Sequence, residues 1–438
     1  MALIIVLIGV FLLLVLLLVF KFNAFISLLL VSFAIGVAEG MTVTDTLSAI
    51  VKGVGSTLGS LALVLSFGAM LGKMIEESGA ADRITFSLIS LFGKNHIQWA
   101  VLLTGFCIGM PMIYNAGFLV LIPLIYTLAA STKLPLLYLG IPMAAALSVT
   151  HGLLPPHPGP TTIAILFKAD INTTLLYGIL VAIPTVILAG PVFSRLIIKL
   201  EPIQESGPTE AAIHEKKSMP GLAISVLTAI VPVFLMLLAA VINFLSIKGS
   251  VVADFFNFLG DPTIALFLAL MLSIYTLGIF RGRKMPDIMQ SLTVSVQGIT
   301  MILLIIAAGG AFKEVLIQSG VGVYVADAIR DTSLSPLLLA WLIAACLRLT
   351  LGSATVAAIT AAGIVLPAIG ASSVKPELMV LAITSGSLMF SHVNDIGFWM
   401  FKEYFKLSLK QTFLSWSIME TIVSVAGLIG VLLLNTLL

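Results

Sequence analysis

The sequence predicts an all-α polytopic membrane protein with about 10–14 transmembrane segments, and three observations carry that prediction. The 438 residues are 60% hydrophobic and only 10% charged, against roughly 25% charged in an average soluble domain. Charge-free stretches of the roughly 20 residues that cross a bilayer recur at 1–20, 22–38, 53–72, 95–132, 171–194, 220–247, 262–280, 288–312, 349–374 and 421–438. Several long apolar regions are also interrupted by glycine, proline and histidine. The sharpest interruption is His151-Gly-Leu-Leu-Pro-Pro-His157-Pro-Gly-Pro160, two histidines and four prolines inside a region, 134–167, without a single charge. Irregular backbone survives at membrane depth only when buried in protein or facing a cavity, so this break predicts a binding site.

In chain order, Met1–Phe20 lacks a basic start and an Ala-x-Ala cleavage site and reads as the first span rather than a signal peptide. A second span ends near Glu39-Gly40, and Thr44-Asp45 followed by Leu47, Ile50 and Val51 predicts a capped amphipathic segment along the interface. The third span carries Gly55, Gly59 and Gly68, which permit close helix approach. From Asn95 to Thr132 the run is broken by Gly105, Gly109, Pro111, Asn115, Gly117 and Pro123, so two segments are expected there. Another span covers Leu175–Phe193. The only extended hydrophilic segment follows, and it divides the chain into a first membrane repeat at 1–198, a linker at 199–219 and a second repeat at 220–438. The basic residues of 195–219 and of Arg281-Gly-Arg283-Lys284 place both loops in the cytoplasm.

The halves echo each other. Gly68-Ala-Met-Leu-Gly-Lys-Met-Ile-Glu-Glu-Ser78-Gly79 is similar to Gly309-Gly-Ala-Phe-Lys-Glu-Val-Leu-Ile-Gln-Ser319-Gly320, and His157 pairs with His392 as the polar break of each half. Matching interruptions in two halves point to a transporter binding site.

Polar groups at depth are the candidate site residues, because ionisable side chains within spans face a bundle interior or a cavity. Asp395, beside His392 and Asn394, either shares a proton with the imidazole or caps the helix beginning near Phe398. His151 and His157 either face an anionic substrate or are satisfied by carbonyls; six residues apart across two prolines, they lack the i, i+4 spacing of a zinc pair. Arg348 holds a substrate carboxylate or anchors a helix end by snorkelling. Gly352, Ser353 and Thr355 suit a helix break offering hydroxyls and amides, or close helix packing. Asn115, next to Tyr114, is a neutral hydrogen-bonding group in a charge-free run. Lys73, Glu76, Glu77, Lys313 and Glu314 read as boundary charges.

Other classes have little support. A formal charge of +2 without a basic stripe excludes nucleic-acid binding. Cys107 and Cys346 lie in apolar surroundings and suggest neither a disulfide nor a metal site, and no cofactor motif occurs. Neither a Gly-x-Ser-x-Gly elbow nor a His-Glu-x-x-His pair supports an intramembrane hydrolase.

Four phrases together carry a family resemblance over the whole chain. They are Gly59-Ser-Leu-Ala with Phe67-Gly-Ala-Met-Leu-Gly-Lys73, Ala144-Ala-Ala-Leu-Ser-Val-Thr-His151 running on to Pro160, Arg348 with Gly352-Ser-Ala-Thr-Val-Ala-Ala-Ile-Thr360, and Ser391-His-Val-Asn-Asp-Ile-Gly-Phe-Trp399. The chain resembles the gluconate permeases, proton symporters of gluconate with relatives for idonate and other small hydroxy or amino acids. The resemblance implies a secondary transporter of the ion-transporter superfamily type in a bacterial inner membrane, with two inverted repeats, re-entrant helical hairpins and a homodimer. It further implies a small anionic substrate and H+ as partners besides the lipid bilayer. Substrate-binding roles then fall to Tyr114, Asn115, His151, His157, Arg348, Gly352, Ser353, Thr355, His392 and Asn394, and proton coupling to Asp395, His157 or His392. One departure stands out: where such permeases usually carry Glu or Asp in a phrase like Phe-Glu-Val-Gly-Phe, this chain reads Tyr114-Asn-Ala-Gly-Phe118. An amide does not titrate, so coupling here rests on Asp395 or a histidine, or the protein is an uncoupled facilitator or exchanger.

Overall fold

The computed structural model describes residues 2–93, 96–197, 219–244, 251–320, 334–369, 374–393 and 395–438. Asn394 and nearly all of the linker expected at 199–219 lie outside the described residues. Among the described residues every regular element is helical, as the composition predicts.

The first elements are α1 (Ala2–Leu18), α2 (Ala24–Ala38) and α3 (Val43–Glu77). The interfacial segment and third span expected from the sequence are one helix, α3, bent by 42° between its halves Val43–Gly59 and Leu61–Glu77. Its cap is Thr42, whose hydroxyl accepts the Asp45 N–H at 3.0 Å. The apolar pattern is continuous through Gly53, Gly55 and Gly59, so tertiary packing keeps helical what sequence polarity divides. Then follow α4 (Ala80–Phe92), α5 (Ile97–Gly109), α6 (Tyr114–Thr132), α7 (Leu136–Leu153), α8 (Pro158–Phe167) and α9 (Ile171–Ile197). The break expected between 95 and 132 falls at residues 110–113.

The second half comprises α10 (Leu222–Phe244), α11 (Val251–Leu259), α12 (Pro262–Arg281), α13 (Met285–Gln318), α14 (Pro336–Leu351) and α15 (Ala354–Ile369). It closes with α16 (Pro376–Gly386), α17 (Ile396–Tyr404) and α18 (Leu409–Leu437). Among the described residues six helices are long and apolar enough to cross a bilayer, seven if bent α3 is one span, and α2, α5, α6, α14 and α15 contain shorter apolar helices.

The elements recur along the chain. α5, α6, α7, α8 and α9 begin at 97, 114, 136, 158 and 171; α14 to α18 begin at 336, 354, 376, 396 and 409, offsets of 238 to 240. The ends of α3 and α13 share local geometry as well: Ser78 and Ser319 close each helix, and Gly79 and Gly320 follow with φ of +74° and +76°. On this spacing the residue matching His157 is Asp395, each standing directly before the helix that resumes after a break. His392, the partner expected from the sequence, lies three residues earlier.

Packing centres on α7. With the exception of Leu136, Tyr138 and His151, its residues are buried, and α5, α6 and α9 pack around it. α7 and α8 form one broken segment, Leu136–Phe167, the most enclosed of the spans. α8 in turn packs on α15 and α16, so the break of the first half is held against the elements of the second. A separate layer is made by α13 lying along α3, where Gly53 and Gly310 let the backbones approach: a Cβ on Gly310 would come within 2.7 Å of the Gly53 carbonyl oxygen.

Candidate substrate site between the two broken segments

In the first half, α7 ends at Leu153, and His157 stands at the N-cap of α8 with extended backbone. Pro158 and Pro160 are pre-shaped for a first helical turn but carry no N–H. The start of α8 therefore offers fewer amide donors than an ordinary helix, and the imidazoles dominate its polarity. His157 makes no side-chain cap bond; its Nε2 lies 2.8 Å from the Gly109 carbonyl oxygen. A carbonyl only accepts, so Nε2 carries a proton and, in the neutral ring, Nδ1 is an acceptor. His151 Nδ1 faces it at 3.3 Å and must then be the donor. The relay leaves His151 Nε2 with a lone pair, in the electrostatic field of Asp395. Of the two readings for His157, the carbonyl-satisfied one is observed. The same ring also lines a small, mainly apolar pocket that reaches Val64 and Gly68 on α3, Pro111, and Ile299 on α13.

In the second half, Gly352 ends α14 with φ +70°, a left-handed turn that suits glycine. Ser353 caps α15, its hydroxyl accepting the Val356 N–H at 3.4 Å, and Thr355 is half-buried on the first turn. Asp395 is the N-cap of α17, its Oδ1 accepting the Gly397 N–H at 2.9 Å. Its Oδ2 accepts from Arg348 and from the Ser391 hydroxyl. Of the two sequence readings of Asp395, the helix cap is observed; its other oxygen is engaged by Arg348 and Ser391, and His392 bonds a carbonyl instead. Arg348 is not a snorkelling anchor: it is 3% exposed, and its Nε and Nη1 are buried with no partner. His392 Nε2 donates to the Leu349 carbonyl at 2.9 Å, fastening the break to the end of α14.

α18 supports this cluster through a π-helical turn at Phe413–Ser417, the kind of local rewinding often found at functional sites. The turn brings Trp416 Nε1 to donate to Ser391 Oγ at 2.7 Å, and the Ser417 hydroxyl to donate to the Ser391 carbonyl. The Trp416 ring meets Tyr114 at 5.6 Å between centroids, linking α6 to the cluster. Tyr114 is buried with an unpartnered hydroxyl, whereas its neighbour Asn115 points to an exposed position.

Sequence reasoning missed Glu420. It is 1% exposed on α18, faces the Ser148 hydroxyl of α7 and lies in the fields of Arg348 and Asp395. The signal was present: Glu420 is the one acidic residue between Gln411 and Leu438. Buried hydroxyls without partners also occur on Thr161 and Thr162 of α8, Thr360 of α15 and Ser385 of α16, helices that pack on one another. The described residues hold no cluster of three metal-ligating side chains, and neither Cys107 nor Cys346 forms a disulfide among them.

Comparison with known proteins agrees with the geometry. The chain is 53% identical over 435 residues to the high-affinity gluconate transporter of Escherichia coli K12, covering 99% of each chain. It is 51% identical to the Gnt-II system L-idonate transporter of the same organism, covering all of both chains, and 47% identical to the gluconate permease of Bacillus subtilis, covering 99% of each. Among solved structures, the YdaH transporter of Alcanivorax borkumensis superimposes with a TM-score of 0.67 at 14% identity, covering 94% of this chain and 97% of that one. MtrF of Neisseria gonorrhoeae also gives 0.67, at 16% identity, covering 90% and 85%. These two share the fold. The sequence model of the GntP family permease matches residues 1–437, so this polytopic, all-helical chain is a transporter and not an enzyme: it belongs to the GntP permease family.

Proposed function

We propose that this permease takes up gluconate or a closely related sugar acid by proton symport, working by alternating access as a homodimer in a bacterial inner membrane. The observation that carries the reading is Arg348: a buried guanidinium with one edge paired to Asp395 and two donors, Nε and Nη1, left unpartnered. A planar guanidinium is matched to a carboxylate. The unpartnered hydroxyls of Tyr114, Thr161, Thr162, Thr360 and Ser385 suit a polyhydroxy chain attached to that carboxylate. Relatives at 47–53% identity named for gluconate and idonate support the substrate class.

The helix spacing of 238 to 240 residues supports two repeats of inverted topology, with α14 and α15 packed together as a hairpin turning at Gly352-Ser353. His151, His157, His392, Ser353, Thr355 and Asn394 complete the proposed substrate surroundings. In this arrangement the break-bearing elements around α7, α8 and α14–α17 move relative to the α3–α13 layer, in an elevator-like cycle. The proton passes through an acid–base group among Asp395, His157 and His392 or beside them. The linker and the loop at 281–284 face the cytoplasm.

Reconstitution tests this directly. Gluconate uptake into proteoliposomes is expected to alkalinise the outer medium and to stop when the proton gradient is collapsed; uptake indifferent to the gradient refutes symport. A thermal-shift series over gluconate, idonate, glycerate, D-serine and glucose is expected to respond to the acids, and a response to glucose alone refutes an anion site. A second reading, an uncoupled facilitator, is favoured by Asn115 standing where an acid is usual. Under it, Asn115→Glu creates pH-dependent uptake; no gain counts against it.

A further inference from the structure

The three groups expected from the sequence to move a proton are all engaged. Asp395 accepts from Arg348, Ser391 and the Gly397 amide. His157 is bound to the Gly109 carbonyl and to His151, and His392 to the Leu349 carbonyl. Glu420 differs. It sits inside the span Leu409–Leu437 at 1% exposure, with the Ser148 hydroxyl of α7 facing its carboxyl and Oε1 buried without a hydrogen-bond partner among the described residues. The charged groups acting on it are Arg348 on α14 and Asp395, and the Tyr114 phenol on α6 stands in the field of both carboxylates. From α9 and α16, which also pack on α18, no charged group among the described residues acts on it.

We propose that Glu420 is the proton-carrying residue of this permease, and that its protonation is what admits a substrate carboxylate to the free donors of Arg348. The inference rests on the symport reading above and names its residue. The reasoning is charge balance in a buried site. With Asp395 and Glu420 both ionised, one guanidinium already faces two carboxylates, and an incoming anion adds a third negative charge. Uncompensated buried charge is costly. A proton on Glu420 removes one of the three and turns Oε1 or its partner oxygen into a donor, so proton and anion each favour the binding of the other. By linkage the effect is reciprocal. Asp395 cannot serve this role without weakening its pairing with Arg348. When the site opens inward, the proton leaves Glu420 for water, the carboxylate repels the substrate, and the anion follows.

The test compares wild type with Glu420→Gln, which is isosteric with the protonated acid, and with Ser148→Ala. Gluconate affinity is measured by calorimetry from pH 5.5 to 9 in detergent, and proton-driven accumulation in proteoliposomes. In the wild type, affinity is expected to fall with rising pH, approaching about tenfold per pH unit, the limit for one linked proton. Glu420→Gln is expected to bind gluconate with an affinity that no longer changes with pH and to lose accumulation against a gradient. Ser148→Ala, which removes only the hydroxyl facing the carboxyl, displaces the midpoint of the pH dependence by about half to one pH unit; a purely structural role leaves that midpoint in place. If the wild type is proton-coupled and Glu420→Gln is coupled too, with the same pH dependence, the assignment of Glu420 is overturned while symport stands. If the wild type ignores the proton gradient, symport and the assignment fall together. Should Glu420→Gln not fold, an unmoved midpoint in Ser148→Ala overturns the assignment.

Discussion

Asp395 is the residue whose removal the structure makes most quantitative. Its carboxylate pairs with Arg348, which is 3% exposed, while its own side chain is 16% exposed. Removing one member of a buried pair costs about 3–5 kcal/mol because the other charge is stranded. Residual water access at Asp395 and the nearby Glu420 carboxylate place the cost at the lower end, about 3 kcal/mol. The same side chain caps α17 through Gly397, and losing an N-cap costs about 1 kcal/mol. Asp395→Ala is therefore expected to lose about 4 kcal/mol in total. Asp395→Asn keeps an oxygen for the cap and loses about 3. Adding Arg348→Met to Asp395→Asn removes the stranded charge, so the double variant should recover about 2 kcal/mol or more relative to the sum of the single ones. Equilibrium unfolding in mixed micelles measures wild type, Asp395→Ala, Asp395→Asn, Arg348→Met and the double variant. Single variants within about 0.5 kcal/mol of wild type, the range of an ordinary surface change, or a double variant that is simply additive, would show that the pair is not the keystone of this break.

Three further outcomes are expected. Trp416→Phe keeps the ring against Tyr114 but loses the indole bond to Ser391; unfolding should register about 1 kcal/mol, and the unchanged packing should leave helicity by circular dichroism intact. His157→Phe strands the buried Gly109 carbonyl, worth about 1–3 kcal/mol, whereas His157→Gln, able to donate to it, should retain most of that stability in the same assay. Gly310→Ala forces α3 and α13 apart at the Gly53 carbonyl and should destabilise by about 1–3 kcal/mol; a thermal transition equal to wild type would show that the crossing has slack.

Much of this molecule is legible in the order of its residues. Charge depletion and apolar run length fix a polytopic helical protein, since no other conformation satisfies backbone groups in lipid apart from a closed barrel. Glycine and proline mark the breaks, and those at Met110-Pro111 and His151–Pro160 fall where helices do stop, because a missing N–H and a fixed φ act locally. Ser78-Gly79 and Ser319-Gly320 announce matching helix ends in the same way. The paired residues Arg348 and Asp395, 47 positions apart, are each visible as rare charges among apolar neighbours.

What only the tertiary structure decides is how those charges are spent. Sequence spacing paired His157 with His392; the helix starts pair it with Asp395, because register is set by where a helix resumes and not by residue type. Polarity at Thr44-Asp45 suggested a helix lying at the interface, yet packing of α3 along α13 draws those residues into one long bent helix. Glu420 carries no local signal of its burial, since nothing nearby in sequence distinguishes a carboxylate at a helix edge from one buried in the field of an arginine 72 residues earlier in the chain. Burial and partnership are properties of the assembled helices. The sequence by itself therefore determined that this chain crosses a membrane and where its polar breaks lie. The fold alone decided that the break of the first half packs on helices of the second, that Arg348 keeps two donors without a partner among the described residues, and that Glu420 is buried within its field, because each of these depends on contacts between segments that the sequence leaves far apart.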